Sequence, residues 1–219
     1  MEQHEFNFSG QQMVANQSGS LWWPSEKLLC VSNIHLAKSD TQNKAYKNML
    51  PPFHTQESLA RLGDEIKQIN PVIVICLGNS FDELKSLDSL HSVDHKRLAA
   101  LTAGRRWVWI DGDSNAGPVD LGGSHHNEFR HKHLSFRNQA THAGVCEISG
   151  HHNPSKILNE NGISTIHRCF AVDDNRIILP AFSQGDERDG TKNTTLDMLM
   201  GDNAIAITLG REIKPVLMK

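Results

Sequence analysis

Asparagine and histidine recur at the ends of apolar runs in this chain. Asn33 and His35 follow KLLCVS, Gly78-Asn79-Ser80 follows VIVICL, Gly112-Asp113-Ser114-Asn115 follows WVWID, and Gly150-His151-His152-Asn153 follows VCEIS. Each run ends in a glycine or small residue beside a side chain able to bind metal or phosphate. In α/β sheets the loops at the carboxyl ends of strands converge over one crevice, and ligands sit there. The same residues have plainer uses. Asparagine bonds its own backbone and tolerates left-handed conformations, so Asn33 and Asn79 could simply cap strand ends. His35 and His151 could be partly buried imidazoles tied to neighbouring carbonyls.

Thirteen histidines are the compositional oddity. His125, His126, His131 and His133 resemble a metal tract, but no cysteine or carboxylate set completes it, and a solvated hairpin is the simpler expectation. Trp22, Trp23, Trp107 and Trp109 flank apolar runs, where packing outranks base stacking. Arg105-Arg106 and Lys192 could steer an anion or merely solvate a face. Cys30, Cys76, Cys146 and Cys169 stand far apart with no C-x-x-C pair. Reduced thiols, three of them in apolar runs, are expected rather than a zinc site or disulfide framework.

The elements that must position these residues follow from periodicity and turn chemistry. Glu5–Phe8, Gln11–Val14 and Leu21–Trp23 read as a meander of strands, and Lys27–Ser32 as a buried strand. Leu59, Leu62, Ile66 and Ile69 recur at helical spacing, with Thr55 as N-cap and Asn70-Pro71 as the stop. Val72–Leu77 is apolar throughout, as in a strand covered on both faces. A helix over Val93–Ala103 with Gly104 as C-cap leads to a strand at Trp107–Ile110. Strands alternating with helices imply βαβ units and a partly parallel sheet.

Beyond Gly112 the pattern turns β-rich. Strands are expected at Phe129–Arg137, Gly144–Ser149, His167–Val172, Arg176–Pro180, Ala204–Leu209 and Ile213–Met218, with little helix. Asp40–Phe53 and Ser183–Asn193, which includes Asp186-Glu187-Arg188-Asp189, read as loops.

The 219 residues carry 22 Lys+Arg against 25 Asp+Glu, a net charge of −3. That balance, with no long basic run, argues against wrapping duplex DNA by charge alone. No apolar run approaches the ~18 residues a membrane span needs, and the polar start lacks a signal-peptide pattern. A soluble, cytoplasmic chain with no membrane partner is expected. One domain over 1–219 suits this length.

VSNIHLAK, LGNSF, WIDGDSN, SFRNQA and SGHHNPS, in that order, resemble the signature blocks of the calcineurin-like metallophosphoesterase superfamily. Within it the sequence is most similar to the bacterial ligase-associated DNA damage response endonuclease group. Trp23-Pro24, Pro51-Pro52, Gly78–Phe81, Arg168–Phe170 and Leu179–Phe182 match further segments typical of that group. The resemblance spans roughly Leu21 to Leu209 and implies an α/β (α+β) fold: a four-layer α/β/β/α sandwich of two mixed sheets flanked by helices, metallophosphatase type. It also implies a metal-dependent phosphodiesterase, with a phosphodiester substrate or DNA-repair proteins as partners.

Residue by residue, the resemblance places substitutions at most metal positions. Asn33 stands where the family has a first Asp, and Asn79 where it has the bridging Asp. Asn138 and Asn153 replace histidines, while His35 and His151 are retained. In the third block Asp113 holds the place of an Asn ligand. Ser114 replaces the His that assists the leaving group, and Asn115 the Asp that orients it. Arg137 is the retained substrate-binding position.

Two divalent cations about 4 Å apart repel by about 17 kcal/mol at an effective dielectric near 20, and anionic ligands must offset that. An amide oxygen touches a cation without adding charge. His35, Asp113 and His151 are therefore the good ligands, and they suit one Mn²⁺ or Zn²⁺ rather than two. Ser114 cannot act as a cationic acid near neutral pH. Strongly reduced or absent phosphodiesterase activity is the expectation. An active enzyme with an altered site, and a non-catalytic interaction module linked to DNA repair, are the alternatives.

Overall fold

Turn chemistry starts the chain as the pattern predicts. In the computed structural model, which describes residues 2–36, 54–78, 80–81, 90, 92–111, 121–142, 146–160, 162–183 and 194–219, strands β1 (Gln3–Phe8) and β2 (Gln11–Asn16) form a hairpin. Ser9 and Gly10 between them have φ of 50° and 75°, the two left-handed centres a type I′ turn requires. Strands β3 (Leu21–Trp23) and β4 (Leu28–Ser32) continue the meander antiparallel. The expected loop over Asp40–Phe53 lies outside the described residues.

Helix α1 (His54–Ile69) buries Leu59, Leu62 and Ile66, the residues its 3.6-residue period places on one side. Thr55, expected as the N-cap, falls inside the first turn because the helix already runs at His54. Asn70 ends it in a left-handed conformation, φ 51°, and its N–H donates to Ile66 O at 2.8 Å. Strand β5 (Ile73–Leu77) is buried at every position. Helix α2 (Ser92–Thr102) stops at Gly104, φ 73°, ahead of strand β6 (Arg106–Ile110).

The second half departs from expectation in three places. A short strand, β7 (Ser124–His126), pairs parallel with β6. The single strand expected over Phe129–Arg137 is a hairpin of β8 (Glu128–His131) and β9 (Leu134–Arg137), because Lys132, φ 53°, reverses the chain. After β10 (Glu147–Ser149), a strand β11 (Ser155–Glu160) pairs with β12 (Ile163–Val172), which extends well upstream of the expected His167. Strand β13 (Arg176–Ile178), helix α3 (Thr194–Leu199), and strands β14 (Ile205–Leu209) and β15 (Ile213–Leu217) complete the described chain.

Two mixed sheets result. The first runs in sequence order from β1 to β7, antiparallel to β4 and parallel from β4 onward. The second has the order β15-β14-β12-β13-β10-β9-β8, with β10 parallel to both β9 and β13. Cys30, Ile75 and Val108 of the first sheet share one apolar cluster with Phe136, Ile148, Phe170 and Ile177 of the second. Opposite pleats of the first sheet, Leu29, Val31, Val74 and Cys76, join Leu59, Leu62 and Leu98 of the helices, with Trp107 and Trp109 in that cluster. Ala171 and Ile178 meet Leu196 beside α3 on the outer face of the second sheet. The layers are therefore α/β/β/α. Among the described residues no helix is long and apolar enough to cross a membrane.

All four cysteines are free thiols. Burial pushes Cys30 and Cys76 well above the usual thiol range and Cys169 up to about 12, whereas Cys146 is half-buried. Since the thiolate is the reactive form, a disulfide reagent at pH 8 is expected to titrate Cys146 alone in the native protein and all four thiols in denaturant. Rapid native reaction at two or more thiols would contradict the burial assigned here.

Candidate active site

Parallel pairing brings the informative strand ends to one place. Strands β4, β5 and β6 stop level with one another: Asn33 N–H donates to Leu77 O at 3.2 Å, and Gly78 N–H to Ile110 O at 2.8 Å. In the second sheet Gly150 N–H donates to Asn138 O at 3.1 Å, so β9 and β10 also end together. The sheets meet across this edge. Phe182 N–H reaches Ser32 O at 2.7 Å, and Ser183 N–H reaches Asn33 O at 3.3 Å.

Side chains close the gap. The Asn33 Nδ2–H donates to Asn153 Oδ1, linking the end of β4 to the loop after β10. Asn138 turns its amide against Gly78, where an added Cβ would lie 1.7 Å from Asn138 Oδ1. Gly150 sits against Ser32 in the same way, a Cβ there falling 1.9 Å from Ser32 Oγ. These glycines are required because two strand ends from different sheets nearly touch.

The loop backbones are strained. Asn33, His35, His151 and Asn153 have φ of 51°, 48°, 61° and 45°, and Gly78 has 44°. Left-handed conformation at non-glycine residues costs on the order of 1–3 kcal/mol each and concentrates at binding and catalytic loops. Asn33 is fully buried, and His35 and Asn138 are nearly so. Among the described residues, Asn33 Oδ1 and Asn138 Oδ1 are buried with no hydrogen-bond partner, at about 1–3 kcal/mol for each unsatisfied group.

The structure thus brings Asn33, Asn138 and Asn153 to the shared end of the two sheets, with His35 and His151 in the adjoining loops. Asn79, Asp113, Ser114 and Asn115 lie outside the described residues. Arg137 is committed to its own sheet: Nη2–H donates to Glu128 Oε2 at 2.7 Å, and Nε stands 3.8 Å from the buried Glu147. Hydrogen bonds from Arg130 and Ser135, with the Arg137 charge, hold the Glu128 carboxyl below its usual range.

The histidine tract divides between elements. His125 and His126 belong to β7, His131 and His133 to the β8–β9 hairpin. His125 Nδ1 meets Asp111 Oδ1 at 3.1 Å, and His131 Nε2 meets Glu26 Oε2 at 2.8 Å. His133 Nε2 meets Ser9 O at 3.1 Å. His131 and His133 thus stand on a hairpin, as expected, with His133 exposed, whereas His125 and His126 sit on a separate strand and the rings of His125 and His131 are half-buried. Among the described residues no three His, Cys, Asp or Glu side chains group to hold a metal ion. Sequence reasoning passed over Asp111, at the end of β6, and the close glycine contacts; a polar residue and glycines terminating apolar runs were the available signals.

No protein-family model matches the chain, and no curated protein matches it. Among solved structures, the crystal structure of Pseudomonas putida nuclease MPE is similar, with a TM-score of 0.72 at 17% identity over 98% of this chain and 100% of that one. At that identity the likeness concerns the fold alone, a two-sheet α/β sandwich.

The Ser32–Gly150 contact can be isolated by a double-mutant cycle. Gly150→Ala is expected to lower stability by about 1–3 kcal/mol, and Ser32→Gly in the same chain to recover part of that loss. Thermal or urea melts of the four species measure the coupling; additivity would mean that the strand ends do not touch.

Proposed function

We propose that this chain is a calcineurin-like phosphoesterase-type protein whose two-metal phosphodiesterase activity is strongly reduced or absent. The supporting observation is the bond between the Asn33 and Asn153 amides, which joins two positions that the sequence resemblance assigns to metal ligands. Those amides satisfy each other in part, where a carboxylate and an imidazole would attract a cation. On the positions the resemblance assigns, Asn33, Asn138 and Asn153 supply neutral amides where the family has a carboxylate and imidazoles, which leaves less charge to offset the repulsion between two dications.

One ion fits better than two. The orphaned oxygens of Asn33 and Asn138 are buried acceptors that a single cation would satisfy, and oxygen with imidazole suits Mn²⁺ or Zn²⁺. His35 and His151 would complete that set, with Asp113 as its anionic member. Such an ion would supply Lewis-acid polarisation and a more acidic bound water. The chain's own part would be to orient these donors on strained, rigid loops. Serine at position 114 leaves no imidazolium there to protonate a leaving group. A weak single-metal phosphoesterase is therefore the second reading. Similarity to a nuclease favours a nucleic-acid phosphodiester as the substrate class, and DNA-repair proteins as partners of a silent form.

Untagged protein loaded with Mn²⁺ or Zn²⁺ and desalted is expected to retain at most one ion per chain by mass spectrometry. It should hydrolyse bis(p-nitrophenyl) phosphate no faster than the buffer control. Asn33→Asp, Asn79→Asp, Ser114→His, Asn138→His and Asn153→His introduced together should raise turnover by about 10²-fold or more. Two tightly held ions with metal-dependent turnover in the unaltered chain would overturn the proposal.

A further inference from the structure

Helix α3 covers only part of the outer face of the second sheet, beside Ala171 and Ile178. Along the rest of that face β11, which pairs with β12 alone, forms one wall of a groove of about 480 Å³. Its root is pinned across β15, where Lys156 Nζ donates to Met218 O at 2.7 Å. The groove lies on the pleat opposite the inter-sheet core: Thr208 lines it, whereas its neighbours Ile207 and Leu209 belong to that core. It is therefore separate from the crevice at the strand ends.

Its lining has two characters. Leu158 and Ile163 form an apolar wall, and Ile163 is 67% exposed, unusual for a residue of its type. Arg211 and Lys214, near the β14–β15 turn, supply two cations, with Glu212 as the opposing carboxylate. Among the described residues Arg211 has no ion-pair partner. His167 and Thr165 stand beside them, Nε2 to Oγ1 at 2.8 Å. Gly210 makes room for the ring, since a Cβ there would fall 3.0 Å from His167 Nδ1.

We propose that this groove binds a small organic phosphate, its phosphoryl oxygens on Arg211, Lys214 and the His167–Thr165 pair and its apolar body against Leu158 and Ile163. The volume suits a ligand of mononucleotide size. A guanidinium fork, an ammonium, an imidazole and a hydroxyl offer more donors than the two oxygens of a carboxylate can use, and match the three of a phosphate monoester. Among the described lining residues Arg211 and Lys214 stand against the one carboxylate of Glu212, a local balance that favours an anion despite the chain's net charge of −3.

Phenylphosphonate, whose C–P bond resists hydrolysis, is the probe. Titrated into ¹⁵N-labelled protein, it is expected to shift the amides of His167, Thr208 and Gly210 saturably, with a dissociation constant of about 1 mM. Arg211→Ala with Lys214→Ala should weaken binding about tenfold or more while preserving the spectrum elsewhere. Ile163→Ser should weaken phenylphosphonate but not inorganic phosphate. Three results would each overturn the proposal: shifts confined to the crevice loops, equal binding of benzoate, or a dimer that buries the groove residues at the concentrations used.

Discussion

An apolar layer between two sheets is the constraint on which the crevice depends. Cys30, Ile75 and Val108 press against Phe136, Ile148 and Ile177, each fully or almost fully removed from water. Burial of this kind contributes about 1.5–3 kcal/mol per large side chain, against about 0.5–1.5 kcal/mol net for a typical hydrogen bond at the strand ends. Because the layer fixes the distance and level of the sheets, loops from β4 and β5 must meet loops from β9 and β10. The two close glycine contacts, at Gly78 and Gly150, are the local cost of that imposed approach.

Within the imposed frame, chemistry is decided by small differences in side-chain charge. Asparagine differs little from aspartate in size and tolerates the left-handed backbone that these loops adopt. An amide can thus occupy Asn33 without disturbing the fold, while removing the charge a cation would seek. On the proposed reading, Asn138 and Asn153 likewise stand where the family carries a ring nitrogen. Similarity at 17% identity accordingly concerns architecture, and the reading of activity rests on individual donors.

Much of the first sheet was legible from local pattern. The apolar runs of β4, β5 and β6, the helical spacing of Leu59, Leu62 and Ile66, and the turn residues Ser9-Gly10 all appear as expected. These signals are strong because parallel strands are buried on both faces and helices on one. The second half was harder. Ser124–His126 and Ser155–Glu160 carry no apolar alternation that announces a strand, since β7 lies at a sheet edge and β11 pairs on one side only. Lys132 adopts a left-handed turn that its residue type does not announce, so β8 and β9 read as one strand. At the site, strand-end positions were visible in sequence, but the contact of Asn33 with Asn153 joins residues 120 apart and required the tertiary structure.

The shared apolar layer also bears on how the chain is made. Its first face comes from residues 8 to 110 and its second from residues 129 to 209. A nascent polypeptide emerges from the ribosome amino end first, so the oily surface of the first sheet awaits a cover translated many seconds later. During that interval its exposed pleats are a natural target for chaperones.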